Sequence, residues 1–122
     1  MATVNEVILR VDRLRPNALE EEDKARWLME LDGRIYLEVT SADNPEARPP
    51  ESWPEDGDME LLVPAPYAGL YELYLMAKVE FALQDYEGCE NTTQLYNQAM
   101  SEFRAQYRRS HVPREVRLIG IF

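Results

Sequence analysis

The chain is poor in the residues that most chemistry needs. It holds one histidine, His111, and one cysteine, Cys89, in 122 residues, with neither an HExxH nor a CxxC spacing. A set of nitrogen and sulfur ligands converging on a metal is therefore not expected. A lone cysteine closes no internal disulfide, which fits a reducing cytoplasm. Five glycines leave no glycine-rich loop to cradle a phosphate. No apolar run approaches the roughly 20 residues that cross a bilayer, and the opening MATVNE has neither the basic nor the apolar region of a secretory signal. Basic charge is scarce too, with 13 Lys and Arg against 23 Asp and Glu and a net charge of -10. Gripping a duplex takes a basic face, so the dominant field here repels nucleic acid. No enzyme, metal or cofactor is expected, and no membrane.

What remains is apolar and acidic. A hydrophobic fraction of 45% and ten scattered Tyr and Phe residues argue for one folded domain with a modest core. The acidity is uneven. Residues 20–60 hold fourteen acidic side chains against Lys24, Arg26, Arg34 and Arg48, while residues 101–122 are net basic. An acidic body with a basic end suggests two surfaces with different partners.

Helical periodicity dominates the pattern. Thr3 with Glu6 reads as a capping box, and Val4, Val7, Ile8, Val11 and Leu14 share one face until Pro16. Asn17 with Glu20 repeats the cap signal, so a second helix is predicted from about Ala18 into the thirties, with Trp27, Leu28, Leu31 and Ile35 inward. Glu20–Lys24, Glu22–Arg26 and Glu30–Arg34 are spaced for i,i+4 pairs. Gly33 weakens this helix without ending it, and Tyr36, Leu37 and Val39 are able to continue it. A third helix is predicted from near Pro66 to Gly88, apolar on two faces. One carries Leu70, Leu73, Tyr74, Ala77 and Phe81, the other Tyr71, Leu75, Val79, Ala82 and Tyr86. A fourth is predicted from about Asn91 to Arg109, with Leu95, Tyr96, Ala99, Met100, Phe103 and Tyr107 inward and Arg104, Arg108 and Arg109 toward its negative end. Tyrosines set among Leu and Met on helices read as packing residues rather than a base-stacking set.

The prediction is therefore all-α: a short antiparallel bundle of about four helices over residues 1–113, with an irregular loop at about 40–65 and a tail at 114–122. Its acidic stretch at 40–60 carries four of the chain's eight prolines, and a loop this long in a small domain is usually functional or mobile. The apolar surface of helix three exceeds what a small bundle would bury alone, which reads as a subunit interface. Its candidates are Tyr71, Leu75, Val79 and Tyr86, joined by Trp53, which either pins the loop or anchors a neighbour. The last nine residues, REVRLIGIF, carry Arg114, Val116, Arg117, Leu118, Ile119, Ile121 and Phe122. Such a tail either adds to the edge of another protein's sheet or folds back over its own bundle.

Three blocks, DKARWLMELDGRIYLEV at 23–39, LLVPAPYAGLYELYLMAKVEF at 61–81 and LYNQAMSEFRAQYRRSHVP at 95–113, carry a resemblance. In their order and phrasing the chain resembles the small head–tail connector, or adaptor, proteins of tailed bacteriophages and prophages. The resemblance implies a virion protein made in the host bacterial cytoplasm. It implies a ring, dodecameric in the family, docked beneath the portal protein with copies of the chain as neighbours. Such a ring extends the channel through which DNA passes without specific binding, and it seats the next head-completion or tail protein. It also assigns the 114–122 tail to portal binding. A rival reading is an acidic DNA mimic or regulatory binder of phage origin, although a proline-rich loop is a poor rigid scaffold for mimicry.

Overall fold

The structure is a computed structural model that describes residues 2–110. Four α-helices follow one another as α1 (Val4–Leu14), α2 (Glu21–Ile35), α3 (Gly69–Ala82) and α4 (Tyr86–Ser110), and a single π-helical turn, Tyr36–Thr40, extends α2. The described residues contain no strand. One isolated bridge pairs Thr3 with Glu60.

The first helix forms as its pattern dictates. The Thr3 hydroxyl accepts the Glu6 N–H at 3.2 Å, and Val4, Val7, Ile8 and Val11 form the buried stripe. The second starts three residues later than its cap signal suggests, at Glu21. Asn17 does not cap it. Its side-chain oxygen accepts from the Leu19 N–H and from Lys24 Nζ, while its amide nitrogen donates to Asp12 and to the Arg15 carbonyl. Lys24 is only 2% exposed and places its ammonium 2.8 and 2.9 Å from the two oxygens of Asp12. The predicted i,i+4 pairs therefore give way to other partners, two of them tertiary and one at i,i+3. Lys24 binds across to α1, Arg26 pairs with Asp23, and Arg34 donates to the Tyr74 hydroxyl on α3. A buried ammonium with three acceptors is a stronger constraint than a solvated surface pair. Stranding it would cost about 3–5 kcal/mol.

Residues 41–68 contain no helix or strand, yet they are tied down. Asn5 N–H donates to the Gly57 carbonyl and Leu61 N–H to the Ala2 carbonyl, so the stretch before Val63 lies along the start of α1. Leu61 and Val63 are inserted fully into the core, each contributing on the order of 2 kcal/mol of apolar burial. Trp53 is half-buried against that core, and its indole N–H points at Asn5 Oδ1 at 3.4 Å. It pins the loop to its own α1.

Helix α3 touches all three other helices. Its buried positions are Leu70, Tyr71, Leu75, Val79 and Glu80. This corrects the assignment of Tyr71, Leu75 and Val79 to a subunit interface: each has no exposed surface and lies in the chain's own core. The reason is tertiary: α3 packs against all three other helices, and the 62–63 segment is bonded to Tyr71, contacts that periodicity alone does not reveal.

The break between α3 and α4 falls at residues 83–85, not at Gly88. Gln84 takes φ 63°, the left-handed position that glycine usually fills after a helix. Asp85 N–H then reaches back to the Glu80 carbonyl and Gln84 N–H to that of Phe81. Asp85 also starts α4, its carboxylate accepting from the Gly88 N–H at 3.0 Å. Gly88 lies inside α4, where two carboxylates, both held by hydrogen bonds, crowd its Cα. A Cβ there would sit 2.4 Å from Asp85 Oδ2 and 2.5 Å from Glu80 Oε2. Gln84→Gly should raise stability by about 0.5–1 kcal/mol by relieving the left-handed strain. Gly88→Ala should lower it by about 1–3 kcal/mol despite alanine's better helix propensity. Urea midpoints of the two variants against the parent chain check both signs.

Candidate functional site

Two kinds of feature qualify as a site: buried polar groups with unusual chemistry, and surface left apolar. The most unusual polar group is Asp32, which has no exposed surface. Its carboxylate accepts the Tyr71 hydroxyl at 2.5 Å and the Leu62 N–H at 3.0 Å, while the same hydroxyl accepts the Val63 N–H at 2.8 Å. Burial pushes Asp32 up to about 6, against the opposing pull of the bonds from Tyr71 and Leu62. Burial and the adjacent carboxylate also push the Tyr71 phenol far up. Perturbed groups of this kind often mark catalysis when they face a cleft. Here neither residue has any surface to offer a substrate, so the pair acts as a clasp that fastens residues 62–63 to α2 and α3.

A second polar knot closes the far end. Glu80, 6% exposed, accepts the Thr92 hydroxyl at 2.6 Å. Arg15 Nη2 lies 2.7 Å from Asp85 Oδ2 and 3.9 Å from Glu80 Oε2, joining the end of α1 to the α3–α4 turn. Among the described residues no group of three or more His, Cys, Asp or Glu side chains is arranged to hold a metal ion, and no helix is long and apolar enough to cross a membrane. Cys89 is free and half-buried, its sulfur 3.9 Å from the Thr93 hydroxyl.

The exposed apolar surface concentrates where α3 meets α4. Phe81 is 62% exposed and Tyr86 58%, their rings edge-on with centroids 5.6 Å apart, and Leu83 lies between them in sequence. Beside them a groove of about 350 Å³ runs between the two helices, lined by Tyr74, Ala77, Lys78, Phe81, Cys89 and Tyr96 among others. Leu95, predicted to face inward, is 55% exposed, and Phe81, from one of the two apolar faces predicted for helix three, is exposed as well. Of the five interface candidates read from the sequence, Tyr86 alone is exposed. Periodicity named Tyr86 a candidate but not Phe81, whose face runs from buried Leu70 through half-buried Tyr74 and Ala77 to exposed Phe81 itself.

Charge is partly spent inside the fold. Arg104 pairs with Glu38 of the π turn at 2.9 Å, and Arg109 donates to Gln106. In the acidic loop, Asp56 accepts the Glu51 and Ser52 N–H groups, which hold its carboxyl below the usual range, and Asp58 accepts from Asn5. The tail residues Arg114, Val116, Arg117, Leu118, Ile119, Ile121 and Phe122 lie outside the described residues, as does His111. Compared with family models, curated proteins and solved structures, the chain matches none.

Asp32 sets a pH dependence whose sign is unusual for a carboxylate. Its folded-state value of about 6 lies above the ordinary 3.9, so the folded chain holds a proton that the unfolded chain has already released. Its contribution is fully present below about pH 4 and is lost as pH rises through 6, a change of about 2–3 kcal/mol. Asp32→Asn should remove that slope. Denaturation midpoints of parent and variant from pH 4 to 7 should show the parent's advantage shrinking as pH rises, and parallel curves would contradict the assignment.

Proposed function

We propose that this protein is a structural component of a phage particle, a head–tail connector that assembles as a ring on the portal. In this reading the helices form a short antiparallel bundle, copies of the chain are neighbours in the ring, and DNA passes through without being gripped. The 114–122 tail anchors on the portal, and the opposite face seats the next head-completion or tail protein. The observation that carries the reading is the aromatic patch of Phe81 and Tyr86, left open where α3, its core face buried, gives way to α4. An apolar patch next to a groove is the form that protein-docking surfaces take. Supporting it, the sequence resembles that family along three blocks, and the net charge of -10 suits a wall past which phosphates slide.

Electron microscopy of the chain mixed with the portal of its own phage tests this reading. The expected outcome is an added symmetric ring on the portal's tail-facing end. Removing residues 114–122 should leave the helical circular dichroism unchanged and abolish docking. Phe81→Asp with Tyr86→Asp, both at exposed positions, should leave the fold intact and break the ring into scattered single copies. A bare portal at high protein concentration would overturn the reading and favour the acidic-mimic alternative.

A further inference from the structure

A second groove, of about 300 Å³, lies between the π turn, the 62–67 segment and the last turns of α4. Thr40, Ala47, Leu62, Tyr67, Phe103 and Tyr107 line it, and most of them are apolar or aromatic. Three observations bear on what fills it. Ser110, the last described residue, itself borders the groove, so the next twelve residues of the chain start at its rim. Those residues include Leu118, Ile119, Ile121 and Phe122, and twelve residues reach up to roughly 40 Å when extended, ample to turn back. Thr40 is 7% exposed, and its hydroxyl oxygen is buried without a hydrogen-bond partner, a rare condition for a buried polar atom.

We propose that in the free protein the groove is the docking site of the chain's own 118–122 segment, an apolar side chain of that segment seating between Tyr67, Phe103 and Tyr107. Charge favours the same occupant. The loop bordering the groove carries Asp43 and Glu46, with Asp43 bonded to the Tyr107 hydroxyl, while the approaching segment carries Arg114 and Arg117. Tethering supplies the rest. A tether of a few residues raises the effective concentration of its end to the millimolar range, so even a contact too weak to form between separate molecules is populated within one. A volume of about 300 Å³ suits one or two side chains, not a helix or a partner domain. The proposal concerns the free chain and stands whether or not the protein binds a portal.

The test places a photo-crosslinking phenylalanine analogue at position 122 of the full chain, irradiated alone at low micromolar concentration and mapped by mass spectrometry. The expected product is a monomer cross-linked to the 40–67 segment or to Phe103–Ser110. Ala47→Arg, at a half-buried position on the groove wall, should abolish that product by obstructing the site and repelling Arg114 and Arg117. Cross-links between chains would assign the groove to a second copy. Those, or cross-links scattered over other surfaces, or a product unchanged by Ala47→Arg, would overturn the proposal.

Discussion

One buried carboxylate organises the molecule. Asp32 has no exposed surface and is the acceptor on which the Tyr71 hydroxyl and the Leu62 N–H converge. Through that hydroxyl the Val63 N–H is satisfied as well. Without the clasp, Leu62 and Val63 would carry buried, unpaired N–H groups, each costing about 1–3 kcal/mol. The segment would then be released from the core, taking the buried Leu61 and Val63 side chains with it. The hydrophobic core of this chain thus depends on a polar network that lets an irregular segment lie inside it.

The two other polar knots divide the remaining work. Lys24 with Asp12 and Asn17 fixes the turn between α1 and α2, and Arg15 with Asp85 and Glu80 ties the end of α1 to the α3–α4 turn. Both spend charges on orientation. A buried ion pair adds little net stability over an apolar substitute, yet it penalises any packing that separates its members. In a small domain with a modest core, such contacts favour one helix arrangement over its near alternatives.

The helices were largely legible because their signals are local. Thr3, the β-branched stripe of α1 and the acidic first turn of α2 act within a few residues of themselves. What failed was whatever depends on residues distant in sequence. Gly88 reads as a helix stop, and only the carboxylates of Glu80 and Asp85 pressing on it explain why glycine is needed inside α4. Gln84 carries no hint of a left-handed turn. Lys24 has a helical neighbour at i-4 that looks sufficient, so its partnership with Asp12 is hidden. Tyr71, Leu75 and Val79 looked surplus because their cover is tertiary, from the other helices and, for Tyr71, from a proline-punctuated segment, and neither is announced by local pattern. The exposed candidates were legible only by half: Tyr86 from its face, Phe81 not at all, and the tail by its composition alone.

The π turn at Tyr36–Thr40 has a consequence for how this chain tolerates change in length. There Ser41 N–H donates to the Tyr36 carbonyl at 2.8 Å, five residues back, so the turn carries one residue more than an α-turn needs. The surplus is housed at the surface, where Leu37 is 74% exposed. Elsewhere in α2, losing one residue would rotate everything beyond it by about 100° and turn the Leu28–Leu31–Ile35 stripe out of the core. Loss of a residue from the π turn would let the helix revert to ordinary α geometry after Ile35, with the buried stripe already placed. The junction is thus a built-in allowance, a point at which insertions and deletions can be absorbed between the bundle and the loop it carries.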